Sequence, residues 1–318
     1  MISQPGIYPD FPEADYYNDP APQPSLTQSI VKVLIAQSAL HARMEHPRLA
    51  PPEPDDEDAE PEKYVKAQAI GNAAHLTLIG RGKTLAIGEF KDWKSKEARA
   101  FKEEAQAAGK TVILQKHMTV AHQMVLAARL QLSDIAAVEP AMDLAFREGH
   151  GEVMIAAKTG GIWLRSLVDW MVSPTLLFDY KSTGLSVEPH AVPNLMANAG
   201  WPIQAATQER ILDLIDPDNA GRRRFFFVAQ ENYPPFALTA HEMPEGTMTM
   251  GRKMLAAGEA MWREAMATGK WRGYEPVVHQ PHYPGYVENR WLEREIEHAD
   301  RQSVTTQPKI DPETLMAG

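Results

Sequence analysis

Between residues 152 and 181 the chain reads as three apolar strands, 152–157, 162–172 and 175–181, joined by turns too short to let them part. Lys158-Thr-Gly-Gly161 makes the first turn and Ser173-Pro174 the second. The last strand, Thr175-Leu-Leu-Phe-Asp-Tyr-Lys181, stays apolar until Asp179 and Lys181, and the strand before it carries Asp169 near its end. Side chains alternate across a strand, so Asp179 and Lys181 emerge on one face while Phe178 and Tyr180 point the other way. The same rule groups Arg165, Leu167 and Asp169. Two carboxylates and an ammonium can therefore converge where the strands pair. Charges at the end of buried strands are costly unless paired or coordinated. Such a group suits a hard divalent cation held by oxygen, with the lysine left to position a water and to neutralise charge growing on a phosphate. Acid-x-lysine spacing recurs at Glu89-Phe90-Lys91 and Asp92-Trp93-Lys94, where solvated surface charge is the simpler account. The apolar strand and the second acid distinguish the third copy.

The rest of the chain is read from periodicity and punctuation. Eleven of the 25 prolines fall in the first 62 residues, and residues 1–24 show no period, which predicts an extended N-terminal arm. Ser25 and Gln28 form a capping-box pattern that opens a helical run to about Glu45. The acidic, proline-rich stretch 47–62 predicts a flexible loop within one domain. Helices are predicted at about 63–79, 94–108 and 117–131, the last with Met118, Ala121, Val125, Ala128 and Leu132 at core spacing. After the three strands come helices at about 188–198 and 202–215, strands at 224–230 and 236–242, and a helix at about 247–267. This order predicts an α/β fold, a mixed central sheet flanked by helices with an N-terminal helical elaboration. The main domain is expected over 25–274, its core at about 63–274, with a tail over 275–318 bearing a charged helix near 287–302.

Composition narrows the chemistry. With no cysteine, disulfides and thiolate metal sites are excluded, so a metal must use carboxylates and histidines. No run approaches the roughly 18 apolar residues of a membrane span, and Met-Ile-Ser-Gln-Pro-Gly lacks the features of a signal peptide, so a cytoplasmic protein without a membrane partner is expected. A formal net charge of −10 argues against nucleic acid until its distribution is considered. Residues 53–62 hold seven acids and no base, and so account for most of it. Arg222-Arg-Arg224 and the Lys91–Lys102 stretch could supply a local positive groove, although each taken alone reads as a solvated face.

Two further residues complete a constellation. His75 follows Gly71 by one helical turn in Ala69-Ile-Gly-Asn-Ala-Ala-His75, and a glycine there allows close approach to a sheet. Gln204 sits in the first turn of a helix, in Trp201-Pro-Ile-Gln-Ala-Ala206. The order Gly-x-x-x-His, Asp, Asp-x-Lys, Gln resembles the PD-(D/E)xK nuclease superfamily, and more closely its RecE-type phage recombination exonucleases. The resemblance extends over most of the chain. It includes Tyr17 with Ser25-Leu-Thr-Gln-Ser29, Gln37-Ser-Ala-Leu-His41, His46-Pro-Arg-Leu49, Val168-Asp169-Trp170, Asp179-Tyr-Lys181-Ser-Thr183 and Gly269-Lys-Trp-Arg-Gly-Tyr274.

The resemblance implies His75, Asp169, Asp179 and the Tyr180 carbonyl as metal ligands. It implies Lys181 as the catalytic lysine and Gln204 as a residue orienting it or the scissile phosphate. Glu152 resembles a recurrent acid, expected behind the ligands rather than among them. Arg165, Ser182, Thr183 and Arg222, Arg223 and Arg224 are the candidate DNA contacts. One departure is Gln208, where related nucleases often carry tyrosine. The activity implied is a Mg²⁺-dependent exonuclease, with Mn²⁺ able to substitute. It would work 5′-to-3′ from duplex DNA ends, leaving single strands for phage-type recombination. A homo-oligomeric ring and a single-strand annealing partner are implied as well. The rival readings are a structure-specific or restriction-like endonuclease and a non-catalytic DNA-end-binding protein.

Overall fold

A computed structural model describes residues 1–51, 62–81 and 84–305, with side chains described outside 62–66 and 300–305. The acidic run at 52–61 lies outside the described residues. Residues Met1–Tyr274 form one unit, and a second begins at Glu275. In chain order the first unit contains β1 (Gly6–Tyr8), α1 (Glu13–Tyr17), α2 (Gln28–Ala36), α3 (Ala39–Glu45), α4 (Glu62–Ile79), β2 (Leu85–Gly88), α5 (Lys96–Ala107), β3 (Thr111–Leu114) and α6 (Gln115–Ala136). It continues with β4 (His150–Thr159), β5 (Ile162–Ser173), β6 (Leu176–Thr183), α7 (Val192–Ala199), α8 (Trp201–Ile215), β7 (Arg224–Glu231), β8 (Leu238–Glu242) and α9 (Glu245–Thr268). The second unit carries α10 (Gly285–Thr305).

Six strands form a mixed sheet in the order β1-β4-β5-β6-β7-β8. Only β6 and β7 are parallel; the other neighbours are antiparallel. That single parallel pair requires a crossover, which α7 and α8 supply. One face of the sheet packs on α2, α8 and α9 through Val153, Ile155, Leu177, Phe227, Trp201 and Trp262. The other packs on α4 and α6 through Phe178, Tyr180, Phe226, Ala73 and Met124. The predicted α6 stripe Met118, Ala121, Val125, Ala128 and Leu132 is buried. The expected mixed sheet flanked by helices is therefore the fold.

The N-terminal third differs from expectation. Residues 1–24 are not a free arm. β1 extends the sheet along β4, and α1 packs Tyr16 beneath the ring-facing guanidinium of Arg165, 4.6 Å away. The predicted helix to Glu45 is two helices, because Ser38 stops the first and caps the second by accepting from the His41 amide. Thr27, not Ser25, caps α2, accepting from Ile30 N at 3.3 Å. Ser25 is instead buried, donating its hydroxyl to Asp19 at 2.6 Å. The parallel pair β2 and β3, joined through α5, has no counterpart in the sequence reading. Its strands have four residues each, too short for alternation to show.

Two irregularities open the sheet. β5 and β6 pair only at Trp170–Phe178, Met171–Leu177 and Ser173–Leu176, and then separate. Leu26 runs beside β5 where β6 has left, donating to Trp163 O at 2.8 Å and accepting from Arg165 N at 3.0 Å. Alternation also slips between β4 and β5. Val153 and Val168 belong to the α8 side, whereas Trp170 faces the α4 side and a Cβ on Gly151 would meet Ile79 there. Between them Glu152 takes a left-handed φ of 53°, a conformation worth about 1–3 kcal/mol of strain for a residue with a side chain.

Candidate active site

The separated strands and the slipped register meet at one cleft of about 850 Å³. α4 presents Gln68, Gly71, Asn72 and His75, whose three- and four-residue spacing lays them on one face. α2 presents Gln28, Ser29 and Lys32, and α1 presents Tyr16 and Tyr17. Glu152, Asp169, Lys181, Ser182 and Gln204 line it as well. α4 comes this close to β6 because residue 71 is glycine: a Cβ there would overlap Ser182 Oγ.

His75 Nε2 lies 3.3 Å from Asp169 Oδ2 and 3.4 Å from Glu152 Oε1. Ligand atoms of these three residues all lie within 4.8 Å of one another, a spacing that suits a shared metal ion. Glu152 thus stands among the candidate ligands, where the sequence reading set it behind them. Its left-handed backbone at the slip accompanies this approach to His75. Asp169 is fixed by the Tyr180 amide, which donates to Oδ2 at 3.0 Å because the ladder ends two residues earlier.

Asp179 stands outside that triad. Lys181 Nζ lies 2.5 Å from Asp179 Oδ1, and Gln204 Nε2 donates to Asp179 Oδ2. Each oxygen of Asp179 is thus met by one side chain, Oδ1 by the lysine ammonium and Oδ2 by the Gln204 amide. Asp179 and Lys181 follow Leu177 on the α8 side, which is how Gln204 at the start of α8 reaches them. Gln204, expected beside Lys181 or the phosphate, has Asp179 as its partner, the same carboxylate that Lys181 meets.

Burial dominates the electrostatics, and the neighbouring charges decide the sign. Burial and then the charge of Asp169 push Glu152 up to about 8. The same two causes push Asp179 up to about 6, against the pull of Lys181 and Gln204. Burial would raise Asp169 too, but His75, Lys181 and the Tyr180 amide outweigh it and hold that carboxyl below its ordinary value. Burial disfavours the His75 imidazolium, yet Asp169 and Glu152 raise it to about 9. Lys181 is likewise held above its ordinary value, as Asp179 and Asp169 overcome its desolvation.

These features fit a divalent cation. Glu152 Oε2 is buried without a hydrogen-bond donor, and the crowded carboxylates repel one another. One imidazole with carboxylate oxygens is a donor set for Mg²⁺ or Mn²⁺, the nitrogen favouring Mn²⁺.

The candidate DNA contacts divide. Ser182 lines the cleft, and Thr183 accepts from the Leu185 amide. Arg165 is buried, donating to Asp19, Ser25 and the Tyr16 carbonyl. Arg223 binds Asp213, and Arg224 binds Glu139 and Glu242. Arg222 is exposed, but Arg224 pairs with Leu176 at the far end of β6 from Lys181. These arginines are therefore held as parts of the scaffold, apart from Arg222. Gln208 is buried against Ser166 and the Leu167 carbonyl, with no access to a ligand. Lys32 and Gln68, which also line the cleft, have no part in the sequence analysis, and Tyr17 and Asn72 enter it only within segments that carry the resemblance. The spacing of Gln28 with Lys32, and of Gln68 with Asn72 and His75, was the available signal.

Comparison by sequence finds no matching family profile and no matching curated protein. Among solved structures, a crystal structure of a candidate exonuclease from Eubacterium rectale superposes with a TM-score of 0.53. The match covers 86% of this chain and 96% of that one at 12% identity. At that identity, what the two share is the fold.

Proposed function

We propose that this protein is a metal-dependent nuclease of the PD-(D/E)xK type, acting as an exodeoxyribonuclease on duplex ends. The observation that carries the reading is one cleft that joins a His75–Glu152–Asp169 triad to an Asp179–Lys181–Gln204 relay. The fold shared with a candidate exonuclease supports it. So does the order of the motifs in the sequence.

His75, Glu152 and Asp169 would hold the cation, with Asp179 beside them. Once bound, the cation supplies Lewis-acid activation of the phosphoryl oxygen and of the attacking water. Lys181 works as an ammonium, because its acidic neighbours keep it protonated, so it stabilises charge growing on the phosphate rather than removing a proton. Asp179 fixes the position of that ammonium, and Gln204 fixes Asp179. Ser182, which lines the cleft, would meet the sugar–phosphate backbone. Cleavage 5′-to-3′, a ring-shaped homo-oligomer and an annealing partner for the single-stranded product complete the proposal.

The test is digestion of end-labelled blunt linear DNA beside a closed circle of the same sequence, with Mg²⁺, Mn²⁺ or chelator. Loss of label from the linear form alone, only with metal, is the expected result. Cutting of the circle would reassign the chain as an endonuclease. Digestion of neither would remove the nuclease reading.

A further inference from the structure

Tyr17 is about half exposed (52%) and lines the same cleft as Asp169 and Lys181. A large aromatic left in water on a loose segment carries no message, but this one is held from two directions. Its ring meets that of buried Tyr16 edge to face, with centroids 5.3 Å apart. Tyr16 is in turn pinned by Arg165, which lies over its ring and donates to its carbonyl at 2.9 Å. Two residues after Tyr17 the chain enters Asp19, which has a left-handed φ of 56°. Its carboxylate accepts from Ser25 N and Oγ and from Arg165 Nε. A buried ionic knot thus anchors one side of Tyr17 and a buried ring the other.

We infer that Tyr17 is a nucleobase-stacking residue, which grips a base of a single nucleic-acid strand as that strand's backbone passes the carboxylates and Lys181. This rests on the nuclease reading and deepens it by naming the form of substrate that enters. The cleft has the size of a small-ligand site, room for a few nucleotides of one strand rather than for a helix. Its walls carry hydroxyls, amides and the Lys32 and Lys181 ammoniums, which suit a phosphate backbone, beside the carboxylates of Glu13, Glu45, Glu152 and Asp169; among the described residues the flat faces it offers a base are the tyrosine rings and the His75 imidazole. A ring fixed in advance loses little freedom on binding, and every base has a face to stack, so the grip is independent of sequence.

The experiment measures binding of a single strand of about ten nucleotides, and of the same strand without bases, in chelator so that nothing is cut. The proteins are wild type, Tyr17→Ala and Tyr17→Phe. Tyr17→Ala should weaken binding of the base-bearing strand by roughly 5- to 150-fold, the range of single base–aromatic stacks. Tyr17→Phe, which keeps the ring, should restore it. Removal of the bases should weaken wild type by more than it weakens Tyr17→Ala, a coupling that a merely structural tyrosine would not produce. Equal losses in the two proteins, or a Tyr17→Ala affinity within about twofold of wild type, would overturn the assignment. If that result came from a protein that still digests linear duplex, the nuclease reading would stand without the stack. A wild type that neither binds nor cleaves would end both.

Discussion

Gly71 of α4 lies against Ser182 of β6 with no room for a methyl group between them. This contact sets the height of His75, one turn further along the same face. Gly71→Ala should therefore weaken metal binding at the triad and cost about 1–3 kcal/mol of stability, as overpacking does. The clash is with Oγ, whereas Ser182 Cβ would stand at an ordinary 3.7 Å. Adding Ser182→Ala should then recover most of both losses. Calorimetric titration with Mn²⁺ and denaturant unfolding of the two variants would check it, and failure of the double variant to recover would place the effect elsewhere.

The metal-free protein should lose stability as pH rises from about 5 to about 9. Glu152 and Asp179 have native values raised to about 8 and about 6, so the folded state keeps protons that the unfolded chain releases. Their contribution therefore falls as pH climbs past the unfolded values. His75, raised to about 9, contributes below its ordinary value of 6.5 and loses that contribution as pH rises through 9. All three act in the same direction. Thermal unfolding in chelator should give a lower Tm at pH 8.5 than at pH 6, and added Mg²⁺ should recover more at the higher pH. A flat profile in chelator would show that the carboxylates are not crowded as described.

Glu152→Gln separates ligation from support. It removes a charge that burial and Asp169 both oppose, so the metal-free variant should be at least as stable as wild type at pH 8. Its affinity for Mn²⁺ should fall by about tenfold or more. Unchanged affinity would return Glu152 to a place behind the ligands.

At Lys181, substitution by Arg or Gln should leave metal and DNA binding close to wild type and cut turnover by roughly two to four powers of ten. Arginine keeps the charge but spreads it over a plane that does not fit the space beside Asp179. Single-turnover rates and binding isotherms on one substrate would decide it. Equal losses in both would make Lys181 a uniform phosphate anchor.

Asp19→Ala should cost about 3–5 kcal/mol, because Arg165 would keep its buried charge without its acid. Asp19 is held down to about 2: burial opposes its charge, but His46, Ser25 and Arg165 outweigh it. Its contribution is present above pH 3.8 and is lost as pH falls through 2. Acid unfolding of wild type and Asp19→Ala should converge at low pH. Stability equal to wild type at pH 7 would show that the knot is dispensable.

Much of this was legible in the sequence because its signals are local. Alternation and tight turns placed β4 to β6, and glycine one turn before histidine foretold the close approach at Gly71. What escaped depends on contacts between distant segments. Ser25 looked like a cap, but its hydroxyl is taken by Asp19, and that bond exists only once the N-terminal segment has folded onto β5. Arg165, a candidate DNA contact by sequence, is instead taken up by Asp19 and Tyr16, partners that lie far away in sequence. The approach of Glu152 to His75 and Asp169 was hidden for a like reason, since strict alternation cannot express a strand that turns over within two residues.

The triad takes one member from α4 and two from neighbouring strands, and the chain between His75 and Glu152 comprises β2, α5, β3 and α6. An ion at that point would be a removable cross-link closing this whole excursion into a ring. Loop closure restricts the opened chain more than the native one. Amide hydrogen exchange across β2, α5, β3 and α6 would then slow when metal binds, although α5 contributes no residue to the cleft. The excursion would be fastened at its root, and a chelator would release it without touching it.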